Sequence, residues 1–234
     1  MKNLIFLPAL ILFLMYSCQN KGEVSEAPLA FRFLALGDSY TIGEGVGMEE
    51  TFPAQLALTL EAGSQFQIET NILAKTGWTT SQLINAIADS IPEGTFDLVT
   101  LLIGVNNQYR GLDKTQYRLE FRELLQQAVV FAGHNAKRVI VLSIPDYGVT
   151  PFAANLNPQK ISEEINIFNA INFDESGRTE AHYIEITSIS RKASSDKTLL
   201  AGDSLHPSGK MYREWVSKMH PILESIVNLK KSTE

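Results

Sequence analysis

The chain has 234 residues, a formal net charge of −6 and 44% hydrophobic residues. That length fits one domain of ordinary size with a substantial core, and the composition is that of a soluble globular protein. The acidic balance argues against nucleic acid as a partner, which needs a basic footprint, and a single cysteine, Cys18, excludes an intrachain disulfide.

The first residues stand apart from the fold. Lys2 supplies a positive flank, and Leu4 to Met15 is almost wholly apolar, interrupted by Pro8. This run is short for a transmembrane helix, which needs about 20 apolar residues. Positive flank, short apolar core and the small Ser17 make a secretory signal. Cys18 follows directly. The segment resembles a bacterial lipoprotein signal, with Met15 and Tyr16 where leucine and a small residue are more usual. The resemblance implies that residues 1–17 are removed and that Cys18 is acylated, giving an exported protein held at a membrane by a lipid anchor. The alternative is an ordinary signal peptide with an incidental cysteine. Residues 18–29 read as lipidated cysteine and polar tether, with Gly22, Ser25 and Pro28, and residues 30–230 as the folded domain.

An apolar run from Phe31 to Leu36 reads as a buried strand that stops at Gly37, followed by Asp38-Ser39-Tyr40. Glycine permits a sharp turn there, which puts Ser39 just past the carboxyl end of a strand. Thr51 can cap a helix with Pro53 in its first turn and Phe52, Leu56 and Leu60 at helical spacing, ended by Gly63. Phe66 to Ala74 alternates as a strand and runs into Lys75-Thr76-Gly77-Trp78. Thr79 or Thr80 caps the next helix, with the stripe Leu83, Ile84, Ile87 and Ile91. Asp97 to Ile103 is nearly continuously apolar, as in a strand covered on both faces, and Gly104-Val105-Asn106-Asn107 follows.

A long helix then carries Tyr117, Phe121, Leu124, Leu125 and Ala128 on one face, closed by Gly133-His134-Asn135. Arg138 to Ile144 is a fourth strand, and Pro145 to Asn157 is irregular. Asn157-Pro158 opens a helix with Ile161, Ile165 and Phe168 inward and Gly177 past its end. Tyr183 to Ile186 is a short fifth strand, and Ser188 to Asp203 has no clear period. Ser208 caps a last helix with Met211, Trp215, Met219, Ile222 and Ile226, which Pro221 should kink. The alternation of strands and helices argues for one α/β domain, a parallel sheet with helices on both faces, and right-handed crossovers leave few strand orders, the flavodoxin-like one among them.

Four segments carry the chemistry: Gly37-Asp38-Ser39, the turn at Gly77, Gly104-Val105-Asn106, and Gly202-Asp203-Ser204-Leu205-His206-Pro207. Three directly follow strands, so a parallel sheet brings them to one edge. Their residue types suit acyl transfer. A serine hydroxyl is a weak nucleophile until a base takes its proton. His206 is the candidate base, and Asp203, one turn earlier, can accept from its other nitrogen. The backbone N–H groups of Ser39 and Gly77 and the side-chain amide of Asn106 can meet an oxyanion.

In order and spacing these segments resemble the four blocks of the SGNH (GDSL) hydrolase family, over about Phe31 to Val227. Tyr40 stands where that family's name has leucine. Gly104-Val105-Asn106-Asn107 stands where Gly-x-Asn-Asp is usual, so the asparagine is kept and the following aspartate is lost. Asp203 and His206 match Asp-x-x-His without departure. The resemblance implies a three-layer α/β/α sandwich with a mostly parallel five-stranded sheet. It also implies hydrolysis of carboxylic esters or thioesters through an acyl-enzyme on Ser39, on a small acyl-ester substrate (acetylated glycan, lipid or thioester), with no metal or organic cofactor. Two other readings compete: transfer of the acyl group to a sugar or lipid hydroxyl, and a lipoprotein that binds a glycan or lipid without turnover.

Gly43, Gly45 and Gly47 miss both the dinucleotide and the P-loop spacing and read as a rim beside Ser39. His134, His182 and His220 lack an Asp-x-x-His setting and read as surface or structural residues. Tyr40 and Trp78 are candidates either for an acyl pocket or for ordinary packing near the sheet edge. Asp38 reads as a hydrogen-bonding residue of the turn. The irregular stretches Gln108 to Lys114 and Tyr147 to Asn157 flank the site and are candidates for setting specificity.

Overall fold

The computed structural model describes residues 29–90 and 94–232. The signal, Cys18 and the tether lie outside the described residues, as does Ile91. Five strands make the sheet: β1 (Leu29–Gly37), β2 (Phe66–Ala74), β3 (Leu98–Leu102), β4 (Val139–Leu142) and β5 (His182–Ile184). All pairings are parallel and the order is β2-β1-β3-β4-β5. This is the flavodoxin-like order, whose strand carboxyl ends share one edge.

The helices are α1 (Ser39–Ile42), α2 (Phe52–Ala62), α3 (Thr80–Ser90), α4 (Val105–Tyr109), α5 (Lys114–Phe131), α6 (Pro158–Thr179), α7 (Thr187–Arg191) and α8 (Gly209–Lys231). On one face of the sheet α2 packs on α8; on the other α3, α5 and α6 pack in series. The result is a three-layer α/β/α sandwich. β1, β3 and β4 supply the middle of the core: Phe31, Phe33, Leu36, Leu98, Leu101, Val139 and Leu142 are fully buried. The predicted stripe of α5, from Tyr117 to Ala128, is buried as expected. Neighbouring helices within the layer of α3, α5 and α6 are tied by charge as well as by apolar contact. Glu175 on α6, 1% exposed, accepts hydrogen bonds from Arg118 (2.7 Å) and Arg122 (2.8 Å) on α5.

Three local expectations change. Gly177 lies inside the last turn of α6; the chain turns instead at Glu180, whose φ of 60° takes the left-handed position and whose N–H caps Gly177 and Ser176. α8 runs on through Pro221. The proline and Ser217, whose carbonyl it leaves unpaired, both face solvent, where water can take that carbonyl. Leu223, rather than Ile222, is the buried residue there. Residues 188–203 are not featureless: they hold most of α7 and two 3₁₀ turns, Lys192–Ser194 and Lys197–Leu199. These elements are each too short to show a period. No helix among the described residues is long and apolar enough to cross a membrane.

Candidate active site

β1 ends at Gly37 because nothing larger fits. A Cβ there would stand 2.1 Å from Thr41 Oγ1 and 2.4 Å from the Leu102 carbonyl oxygen. Asp38 then caps α1: its Oδ1 accepts the Tyr40 N–H at 3.0 Å. Ser39 becomes the first residue of this single turn, which closes at Gly43 (φ 81°), whose N–H returns to the Ser39 carbonyl. Asp38 is buried, and its Oδ2 has no hydrogen-bond partner among the described residues. Burial pushes its carboxyl up to about 7, against the backbone N–H groups of Tyr40, Asp38 and Gly104. It touches neither His206 nor the Ser39 hydroxyl by hydrogen bond, in keeping with a turn residue.

The last loop returns to the same edge. It is clamped at its base, where the Ala201 N–H donates to the His206 carbonyl and the Ser208 N–H to the Leu199 carbonyl, both at 2.8 Å. At its tip Ser204 takes a φ of 62°. Asp203 Oδ1 accepts the Leu205 and His206 N–H groups, each at 3.0 Å. Its Oδ2 lies 2.6 Å from His206 Nδ1, and His206 Nε2 lies 3.0 Å from Ser39 Oγ. Burial works to raise the Asp203 carboxyl, but the His206 ring and the two backbone N–H groups outweigh it and hold it below the ordinary range. An ionised carboxylate only accepts, so Nδ1 carries the ring proton and Nε2 accepts from the serine hydroxyl. The Tyr40 ring meets the imidazole edge-on at 5.6 Å. Asp203 and His206, neighbours in one turn, and Ser39, 167 residues before His206, thus form one relay aimed at a serine oxygen.

Two glycines shape the neighbouring turns, Gly77 at φ 83° and Gly104 at φ 127°, both in the region that side chains avoid. Asn106 is the second residue of α4, and its Nδ2 donates to the Trp78 carbonyl at 3.0 Å. That bond uses one of its two N–H groups. The backbone N–H groups of Ser39 and Gly77 have no acceptor among the described residues. Asn107 holds both polar groups of Thr80, accepting its N–H at 3.0 Å and donating to its hydroxyl at 2.7 Å. The asparagine in place of the usual aspartate therefore keeps a full set of local hydrogen bonds.

A cleft of about 150 Å³ opens over the relay, lined by Ser39, Tyr40, Asn106, His206 and the aromatic wall of Tyr109, Tyr147 and Phe152. The three rings pack with centroids 6.1 to 6.3 Å apart. Tyr109 and Phe152 are half-exposed at the rim. Tyr40 lines this cleft as one of its candidate roles had it; Trp78 packs against the core instead. The wall residues come from the two irregular stretches flagged in the sequence, but no periodicity singled them out. The glycine rim is closely fitted: a Cβ on Gly45 would stand 3.2 Å from Asp203 Oδ2. His182 bonds the Lys137 carbonyl at 3.1 Å, His220 pairs with Glu224 at 3.5 Å, and His134 occupies the turn after α5; none joins the relay.

The profile of the GDSL-like Lipase/Acylhydrolase family matches residues 35–214, which include all four segments. The chain belongs to this family. Membership makes ester hydrolysis its reaction class and a serine esterase its enzyme class. Among solved structures it is similar to TesA, with a TM-score of 0.66 and 16% identity over 83% of this chain and 99% of that one. It is also similar to the acetyl xylan esterase AlAXEase (TM-score 0.63, 17% identity, 82% and 98% covered). A third is the psychrotrophic esterase EstA from Pseudoalteromonas sp. (TM-score 0.60, 19% identity, 84% and 98% covered). At such identities the likeness speaks for the fold. Comparison with curated proteins gives no match.

Proposed function

We propose that this member of the family is an exported serine esterase, tethered to a membrane through an acylated Cys18, that cleaves short-chain carboxylic esters through an acyl-enzyme on Ser39. The observation that carries the reading is the unbroken relay from Asp203 through His206 to Ser39, with steps of 2.6 and 3.0 Å. In this reading His206 Nε2 takes the Ser39 proton as Oγ attacks the ester carbonyl. Asp203 holds the imidazolium that forms. The oxyanion is met by the N–H groups of Ser39 and Gly77 and by the second N–H of Asn106 Nδ2. His206 then protonates the departing alcohol oxygen. A water molecule, deprotonated by the same nitrogen, attacks the acyl carbonyl and returns Ser39 to its starting form.

The small aromatic-walled cleft favours a short acyl group. Acetylated glycans are candidate substrates on that ground, and thioesters fit the same chemistry. The test is hydrolysis of p-nitrophenyl esters from acetyl to palmitoyl, with Ser39→Ala as control. Activity highest at acetyl to butyryl and absent from the control is expected. Palmitoyl preference would refute the short-chain assignment, and equal activity in the control would refute the nucleophile. Export and anchoring are tested separately: incorporation of labelled palmitate that Cys18→Ser abolishes is expected, and a protein released unlabelled would contradict it.

A further inference from the structure

The turn that carries Gly77 is held from two sides. On one side stand residues of a single short element, α4 and the residue that ends it. Asn106 donates to the Trp78 carbonyl at 3.0 Å, and Asn107 binds the Thr80 N–H and hydroxyl. Arg110 Nη2 donates to the Gly77 carbonyl at 2.6 Å. On the other side the Thr76 hydroxyl donates to the Glu44 carboxylate, and the Glu44 N–H bonds the Ser39 carbonyl at 3.1 Å. Gly77 is thereby bracketed between the serine turn and α4.

The Gly77 carbonyl has no hydrogen-bond partner but Arg110 among the described residues. With φ at 83° and no Cβ, the peptides on both sides of Gly77 rotate at little steric cost. The asparagine bonds fix residues 78 and 80, and the Trp78 N–H bonds the Lys75 carbonyl at 3.1 Å, so the Gly77–Trp78 peptide is held at its N–H by the turn and at its oxygen by Arg110. Arg110 is itself anchored, since its N–H bonds the Asn106 and Gln108 carbonyls. Its guanidinium is planar and pre-organised, so little freedom is lost per bond.

We propose that Arg110 is a positioning residue for ester cleavage: by holding the oxygen of the Gly77–Trp78 peptide it restrains the Gly77 dihedrals, and so the direction of the Gly77 N–H, carried by the preceding Thr76–Gly77 peptide, relative to the Asn106 amide. This rests on the proposed role of the Gly77 N–H as an oxyanion donor. An exposed side chain is doing the pinning, so truncating it leaves no buried orphan and the fold survives.

The experiment compares Arg110→Ala and Arg110→Lys with the wild-type protein by two readouts. The first is kinetics on p-nitrophenyl acetate. A donor aimed at charge that exists only in the transition state affects kcat, not KM. Arg110→Ala should lower kcat roughly tenfold with KM nearly unchanged, since small misplacements of positioned groups cost about that much or more. Arg110→Lys should fall between, and millimolar guanidinium should restore part of the lost kcat in Arg110→Ala while leaving wild type unaffected. The second readout is amide hydrogen exchange over residues 76–80, which should quicken in Arg110→Ala and needs no turnover. Unchanged kcat, a loss confined to KM, or unchanged exchange would each overturn the proposal. A wild-type protein that hydrolyses no ester would refute the functional reading instead, while the exchange result would still decide the pin.

Discussion

Replacing Asp203 with asparagine keeps the shape of the side chain and reverses the polarity of one atom. Which atom is reversed is decided by the loop. Oδ1 accepts two backbone N–H groups, from Leu205 and His206, at 3.0 Å each. An NH₂ group placed there would oppose two donors, so the carboxamide oxygen stays on them. The NH₂ group then takes the place of Oδ2, 2.6 Å from His206 Nδ1. A donor at that point requires Nδ1 to accept, and a neutral imidazole then carries its proton on Nε2, facing Ser39 Oγ at 3.0 Å. In that tautomer His206 cannot take the serine proton. The expected loss in kcat is roughly 10⁴-fold, the scale of a wrong tautomer in a serine triad, or about 5 kcal/mol of barrier. Asp203→Ala should be less damaging. The Asp203 side chain is 35% exposed, so water can enter and accept from Nδ1–H, leaving both tautomers open. The assay is kcat/KM on p-nitrophenyl acetate for both variants, after circular dichroism has shown each to be folded. An asparagine variant within tenfold of wild type, or an alanine variant less active than the asparagine one, would refute the reasoning.

Two further predictions concern stability against pH. The Asp38 carboxyl, raised to about 7 from an ordinary 3.8, binds a proton in the folded state that the unfolded chain has released. Wild-type stability should therefore decline as pH rises through that window. Asp38→Asn keeps the acceptor for the Tyr40 N–H and cannot ionise, so its Tm should fall less across the window and exceed that of wild type at the alkaline end; a decline as steep as that of wild type would contradict this. Glu175 behaves oppositely. Hydrogen bonds from Arg122, and then from Arg118, hold its carboxyl below the ordinary 4.5 against the opposing effect of burial. Its contribution is present above that value and lost as pH falls through the lower folded one. Glu175→Gln should cost about 1–3 kcal/mol at neutral pH, measured by urea unfolding, and the gap should close in acid; a gap independent of pH would show that packing, not charge, is what the residue supplies.

Much of the fold was legible because its signals are local. β3, with Leu98 to Leu102 fully buried, had to read as a nearly continuous apolar run. α2 announces itself through its Thr51 cap and regular apolar spacing; α5 does so through its spacing, while its Asp113 cap lies in an irregular stretch that gives it no mark in the sequence. The relay was legible too. Asp203 and His206 are three residues apart and share a turn, and Gly37 and Ser39 sit at a strand end, so chain order and residue type were enough. What escaped depends on contacts without a period. The wall of Tyr109, Tyr147 and Phe152 comes from a five-residue helix and two 3₁₀ turns, elements shorter than the window over which periodicity can be seen. Asp146 exemplifies the difficulty. It is buried, caps the Tyr147 turn through the Gly148 N–H at 2.9 Å and pairs with Arg191 at 2.8 Å, a partner 45 residues away. The Arg110 bond to Gly77 is of the same kind, since a lone arginine after an asparagine segment carries no local mark. Glu180 in place of Gly177 as the turning residue of α6 shows the converse, a strong local signal overridden by where the helix had to end.

The most direct test is to treat the protein with a fluorophosphonate and locate the adduct by mass spectrometry of its peptides. An electrophile of this kind reports an activated serine whatever the natural ester is. One adduct per chain, on Ser39, lost in His206→Ala and strongly slowed in Asp203→Asn, is the predicted result. No adduct, or labelling that persists unchanged without His206, would mean that the relay does not activate Ser39, and the esterase reading of this site would fall.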